Sequence, residues 1–572
     1  MGGDSISAMQ VKSQCLKKDI NISVQEILRS KSIILLAQCA KPVDKPSHHE
    51  EIVEQDFNLS PIQDMFFKLP NQGKDHFNQS FFLRITRRVG KRELRQAIET
   101  IIDRHSMLRA RFTKSRTGTW SQRITTNIDA SYRLKYYDVR TREKATPDIA
   151  NSQASLDIIN GPLFAADLFD VDGSDQLLFM VGHHLVIDLV SWRVILEDLE
   201  EALSDKQNLG AITSNIGKPL SFQTWNQLQH DHSQSLSVDS VLPINSVPAG
   251  DATYWGMESQ ANTYGSVKTL GFEVDQETTA TMLTKCHEAL NTETIDILLS
   301  ALIHSFSDVF SDRALPAIFN EGHGREPSEM SVDLSRTVGW FTIMYPVHVP
   351  DSAAKDPIDT VRHVKDFRRK IIGNGRPYFA SRCLTEAGKE RFSHHWPLEI
   401  TFNYLGQYQQ LERAGALLNP VDEMAGEARG AGGTADVGQE TPRFGLFEIS
   451  AVIAQGKLRF SFTFSRHMKH QDKIAQWIST CQQSIGNMAR MLAATAPQVT
   501  LGDFPLISID YEGLNTLVKE KLPGIGVDER DVEDIYPCSV SSLIISLAPS
   551  HHRPPAGRAI DQSSSARVFQ VK

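Results

Sequence analysis

The stretch LLFMVGHHLVIDLVSWRVILEDLEEAL, residues 177–203, restricts the fold more than any other part of the chain. QLLFMVG is a continuous apolar run of strand length, which reads as a strand buried on both faces. Two histidines, His183 and His184, end it, and Asp188 follows. Trp192, Ile195, Leu196, Leu199 and Leu203 then fall on one helical face, so a helix is pinned to the core, with Ser191 placed to cap it. The pair thus sits where a buried strand meets a buried helix. The loop is fixed at both ends, and scaffold-held loops are where function concentrates. A histidine pair by itself is ordinary. The chain has two more, His394–His395 and His551–His552, and a core histidine bonded to a backbone carbonyl is the plain alternative for His183. Metal binding is not expected: neighbours on a strand point to opposite faces, and no H-E-x-x-H pattern accompanies the pair.

The other elements organise around this unit. At 572 residues the chain exceeds one ordinary core, and roughly two to four domains are expected. Residues 1–40 read as short helices, with Ser5 a plausible N-cap, and 41–55 as a polar linker with two prolines. Strands and helices alternate over 56–230, including KRELRQAIETIIDRH as a helix. Residues 231–255 are rich in Ser, Asp and Pro and suit a lobe connection. A second mixed region, 256–505, contains the apolar helix TIDILLSALIHSFSDVF and the alternating strand KLRFSFTFSR. Residues 425–440 are glycine-rich and read as a mobile loop, and 540–572 as a disordered tail. The net charge of −9 argues against a nucleic-acid surface. No apolar run is long enough to cross a bilayer, and Ile6 stands where a myristoylation signal needs Ser or Thr. The six cysteines are scattered without a C-x-x-C pair, which suggests reduced thiols and a cytoplasmic location.

Several segments together resemble a known family. HHLVIDLVSW fits the HHxxxDxxSW signature of the condensation-domain superfamily of nonribosomal peptide synthetases. SPIQDMFF (60–67) and RHSMLRARF (104–112) are similar to early motifs of that superfamily. NEGHGREP (320–327), TVGWFTIMYPV (337–347) and FNYLGQY (402–408) resemble motifs of its epimerization domains. The likeness spans about residues 56–505. Leu189 departs from the glycine of many condensation members. GGDSISAMQV resembles the carrier-protein motif whose serine bears 4′-phosphopantetheine, and VEDIYPCS (532–539) the opening of a following condensation domain, within a segment 506–539. The implied fold is α/β (α+β), the two-lobed chloramphenicol-acetyltransferase-like condensation/epimerization fold, preceded by a partial helical carrier domain. The chain is accordingly expected to be a piece of a larger assembly line or of an imperfect gene model.

The resemblance also implies chemistry. His184 and Glu321 are expected on opposite sides of a carrier-bound aminoacyl or peptidyl thioester, one as base and the other as acid. Asn403 and Tyr404 are implied as accessory polar groups that bind the thioester carbonyl or relay a proton. For Tyr404 a buried, satisfied hydroxyl is an equal alternative. His183 and Asp188 support the loop, with Arg325 as an ionic partner of Asp188. Ser5 is implied as the phosphopantetheine attachment point. The partners are carrier-bound thioesters and the adenylation, carrier and condensation domains of a synthetase. Two other functions stay in view: a condensation domain forming a peptide bond, and an inactive module that only docks partners.

Overall fold

The computed structural model describes residues 51–70, 75–204, 219–244, 246–325, 333–407, 416–421 and 435–529, with shorter pieces toward both ends. The chain divides into two compact units. The first comprises 1–273, 316–346 and 373–478, the second 274–315, 347–372 and 479–572.

Besides two small two-stranded pairs, Ile20–Asn21 with Lys41–Pro42 and Ala110–Lys114 with Trp120–Ile124, the first unit contains two larger sheets. A five-stranded sheet runs in the order Leu418–Pro420, Asn78–Ile85, Asp175–His183, Phe164–Val171, Tyr132–Val139. The apolar run before the histidine pair is its central strand, with Leu178, Phe179, Met180 and Val181 fully buried. Ala145, Ile149 and Phe169 pack with Phe82, Phe179 and Val181. The helix Lys91–Arg104 buries Leu94, Ile98, Ile101 and Ile102, at the spacing its sequence shows.

The other sheet has six strands, in the order Ile343–Val347, Ile318–Gly322, Leu398–Gln407, Gly445–Ala454, Lys457–Ser465, Val267–Val274. Ile318–Gly322 is parallel to Leu398–Gln407, which is parallel to Gly445–Ala454. Gln455 and Gly456, both at positive φ, turn the last of these back into an antiparallel hairpin. Along Lys457–Ser465, Leu458, Phe460, Phe462 and Phe464 are buried and alternate with half-buried polar residues. The buried side packs on Trp477, and each such phenylalanine contributes about 1.5–3 kcal/mol of burial free energy. The opposite face is polar, and Asn403 pairs with Ser450 across it.

In the second unit, helices Thr294–Val309 and Pro357–Lys370 pack together, and Lys365 and Arg369 both bond to Asp503. Phe504, Leu514, Leu517, Leu522 and Ile535 form a further cluster.

Four expectations change. The compact units do not follow a cut at 231–255, because later segments of the chain return to the first sheet: Leu418–Pro420 pairs with Asn78–Ile85, and Val437 bridges Phe77. Part of the predicted mobile loop is thereby ordered. Asp436 accepts from the Asn78 backbone N–H and the Ser80 hydroxyl, while 422–434 lie outside the described residues. Asp188 rather than Ser191 caps the helix Leu189–Ser204, since its carboxylate accepts from the Ser191 backbone N–H at 2.7 Å. In the predicted disordered tail, Arg558–Ile560 and Arg567–Val571 form strands with Val532–Pro537. The β-branched and aromatic residues of RVFQV favour extended backbone locally, against the polar average of the tail. The rest of 540–572 and Ser5 lie outside the described residues. Near the start, the helix Ile33–Cys39 is capped by Ser32.

Candidate active site

The central strand ends at His183, and His184 opens a short 3-10 turn. His183 is buried, and its Nδ1 accepts from the Leu185 backbone N–H at 3.2 Å. Burial, with His184 and His76 nearby, pushes its pKa down to about 3. It is a neutral brace for the turn, bonded among the described residues to a backbone N–H.

His184 is only part-buried. Its Nδ1 lies 2.8 Å from the Ile187 carbonyl, so Nδ1 carries the hydrogen and donates. The free lone pair is therefore on Nε2, 3.0 Å from the Gln79 side-chain nitrogen. The ring packs against Phe77, stacked at 5.1 Å, and against Trp340 at 4.6 Å, and those two rings also touch each other at 5.8 Å. Burial lowers its pKa, and the bond to Ile187 and the charge of Asp188 only partly oppose this. The result is a fixed neutral imidazole with one basic nitrogen.

Asp188 lies four positions on and is buried among donors. Arg325 Nη2 reaches both its oxygens, at 2.8 and 3.0 Å. The Ser191 hydroxyl donates to Oδ1 at 2.7 Å, and the Phe341 backbone N–H to Oδ2 at 3.2 Å. Arg325 also lies over the Phe341 ring at 4.0 Å and donates to the Leu334 carbonyl. The pair clamps two distant segments, 184–188 and 321–325, each four residues beyond a candidate acid–base group.

Glu321 sits near the end of Ile318–Gly322. Gly324 follows at φ +63, and a Cβ there would stand 1.8 Å from the Phe341 carbonyl oxygen, so the turn after Glu321 requires glycine. Asn403, on the neighbouring strand, donates to Glu321 Oε2 at 2.9 Å. Burial, and secondarily the negative charge of Glu448, pushes Glu321 up to about 7. Glu448 is itself paired to Arg443 at 3.3 Å. Glu321 is thus a carboxyl group that holds a proton near neutrality.

Among the predicted site residues, the structure joins Asp188 to Arg325 and Glu321 to Asn403. Tyr404 pairs with Ala451, one position past the Asn403–Ser450 pair, and pleating turns its side chain to the other face from Asn403. Gln79, Phe77 and Glu448 went unnoticed in the sequence. A signal for Gln79 was present in FNQSFFL: three polar residues opening an otherwise apolar strand. Among the described residues no cluster of metal-ligating side chains occurs, and no helix is long and apolar enough to cross a membrane.

Comparison with known proteins gives the family. Residues 53–503 match the condensation domain family. The chain belongs to that family. It is 51% identical over 549 residues to nonribosomal peptide synthetase 4 of Gibberella zeae, covering 96% of this chain and 7% of that protein. Identity to nonribosomal peptide synthetase 1 of Aspergillus fumigatus is 46%, over 96% of this chain and 9% of that one. The chain therefore spans less than a tenth of these relatives. Among solved structures, the epimerization domain from the third module of tyrocidine synthetase B superposes with a TM-score of 0.64 at 25% identity, covering 79% of this chain and 99% of that domain. The condensation domain of the Monacolin K polyketide synthase MokA gives 0.57 at 14% identity, over 77% of this chain and 99% of that domain, and so speaks for the fold alone. The fold class is the mixed α/β, two-lobed condensation/epimerization type.

Proposed function

We propose that this condensation-family region inverts the α-carbon of an aminoacyl or peptidyl group held as a thioester on a carrier protein, during assembly of a nonribosomal peptide. The observation that carries the reading is Glu321: a carboxyl group with an amide partner and, among the described residues, no cation, protonated in part at neutral pH. Amide-bond formation has no use for a second proton donor of this kind. Inversion needs one group to take a proton and another to supply one. The 25% identity to an epimerization domain supports the same reading.

In the reaction, neutral His184 Nε2 takes the α-hydrogen as a proton. The C–H electron pair is left on the substrate and delocalises into the thioester carbonyl as an enolate. Glu321, as the carboxylic acid, gives its proton to the opposite face of the carbon and becomes a carboxylate, which Asn403 Nδ2 steadies by hydrogen bonding. The return reaction exchanges the roles. His183 and the Asp188–Arg325 clamp keep the two segments in place and do not exchange protons. The 4′-phosphopantetheine on Ser5 belongs to the same proposal, and its thiol would hold the acyl group. Intact-mass measurement after treatment with coenzyme A and a phosphopantetheinyl transferase tests that attachment.

The test of function is a chiral assay. The chain is incubated with a separate carrier protein loaded in turn with a panel of L-aminoacyl and dipeptidyl pantetheines, and the released acids are resolved. Appearance of D isomer supports the proposal. Configuration retained throughout, with a peptide bond formed when two loaded carriers are supplied, would assign the chain to condensation. No turnover of either kind would leave it a docking module.

A further inference from the structure

Gln79 lies on the Asn78–Ile85 strand and opposes Gly182, two residues before His184. Paired residues of an antiparallel ladder share a face, so the glutamine side chain reaches toward the ring. Its Nε2 is 3.0 Å from His184 Nε2. The tautomer is set from the other side, because Nδ1–H is committed to the Ile187 carbonyl at 2.8 Å. Gln79 must therefore donate to the imidazole lone pair. Its other polar atom, Oε1, is buried without a hydrogen-bond partner among the described residues. An unpartnered buried carbonyl is costly, and in a folded protein it asks for an explanation.

The proton cycle at His184 provides one. When Nε2 gains a proton, it becomes a donor facing the donor end of Gln79. Rotation of the amide by half a turn brings the unused Oε1 to that proton. We propose that Gln79 is a positioning residue that serves both protonation states of His184, donating from Nε2 to the neutral ring and accepting at Oε1 from the imidazolium. This rests on the epimerase reading, in which His184 must hold a proton and then surrender it. Gln79 also caps the lone pair at rest, and the cap lifts when a substrate α-hydrogen approaches. While the proton is bonded to Oε1, it is held off the enolate, and return to the same face is slowed relative to delivery from Glu321.

The titratable groups on the elements around His184 are known. Asp188, bonded to Arg325, and neutral His183 lie on its own turn. His76, paired with Asp75 at 3.1 Å, precedes the Gln79 strand. Asp436 is bonded to Ser80 and Gln153. Trp340 and Phe77 carry no charge. Each of these titratable groups is engaged by a partner other than His184, and Gln79 is the amide whose nitrogen meets the ring.

The test uses the full chain labelled with 13C at histidine Cε1, with the His184 signal assigned by its loss in His184→Gln. A carboxylate only accepts, so Gln79→Glu should raise the His184 midpoint by about one pH unit or more. Gln79→Leu should slow α-hydrogen exchange by about tenfold to a hundredfold, with a changed pH profile. Gln79→Met, closer in shape, should do the same if Leu disturbs the fold. An unmoved midpoint in Gln79→Glu, together with an unchanged exchange profile in Gln79→Met, overturns the proposal. The two readings fail separately. Absence of exchange in the unaltered protein defeats the epimerase reading, and the role of Gln79 in turnover with it, while the midpoint still reports whether Gln79 couples to His184. Exchange in the unaltered protein, with an unmoved midpoint in Gln79→Glu and an unchanged profile in Gln79→Met, defeats only Gln79.

Discussion

Two carboxylates in the same unit receive opposite treatment. Asp188 has one guanidinium nitrogen reaching both its oxygens, a hydroxyl and backbone N–H donors from Ser191 and Phe341. Among the described residues Glu321 has one amide hydrogen bond, from Asn403, and a second carboxylate nearby. The first arrangement uses nearly every lone pair and fixes two chain segments. The second leaves the charged form short of support and keeps a proton available. The lesson is that burial alone does not distinguish a brace from an acid; the count and charge of the partners do.

The comparison can be broken at either end. The largest effect on stability is expected from Asp188→Ala. Removing one member of a buried pair leaves Arg325 uncompensated and should cost about 3–5 kcal/mol in denaturant unfolding. Replacing Asp188 and Arg325 together with apolar residues should recover much of that loss, while activity stays low because the clamp no longer holds the two segments in register.

At Glu321 the signs reverse. Glu321→Gln should reduce exchange by about a thousandfold or more, since no proton can be donated or accepted there. Its effect on stability should be favourable above neutrality. The folded pKa is raised, so below pH ~4.5 the acid is neutral in both states and carries no penalty. Stability is then lost as pH rises through the folded value of about 7. Removing the group should therefore gain about 1–3 kcal/mol at pH 8 and nothing at pH 4, measured by denaturant unfolding at the two pH values.

A smaller effect is expected at Asn403. Asn403→Ala removes the donor to the Glu321 carboxylate, which should raise the Glu321 pKa further and lower exchange about tenfold. Smallest is Glu448→Gln, which removes the nearby negative charge. In the direction where His184 is the base, exchange should fall as pH rises through the Glu321 pKa, and in this variant that limb should move to lower pH. A limb that stays in place would mean that Glu448 does not act on Glu321.

Much of this was legible in the sequence, for identifiable reasons. QLLFMVG announced a buried strand because nothing polar interrupts its apolar run, and Leu458 to Phe464 announced a half-buried strand by strict alternation. His184, Asp188, Glu321, Arg325 and Asn403 stand in recognisable motifs. Other features were hidden because they depend on register between distant strands. The cap at Asp188 was misplaced on Ser191, since both are good capping residues and only backbone geometry separates them. The 425–440 composition concealed that Asp436 and Val437 are recruited by the Asn78–Ile85 strand and the residue before it. Tyr404 and Asn403 are adjacent in sequence, and pleating separates them.

The central claim is that His184 and Glu321 exchange protons with the same α-carbon. Its most direct test is α-hydrogen exchange in heavy water, with a carrier-bound L-aminoacyl thioester and the full chain, read by mass spectrometry of the released amino acid. The account predicts uptake of one deuterium with the unaltered protein and loss of that uptake in both His184→Gln and Glu321→Gln. Uptake undiminished in Glu321→Gln, or no uptake by the folded unaltered protein on any accepted acyl group, would contradict it.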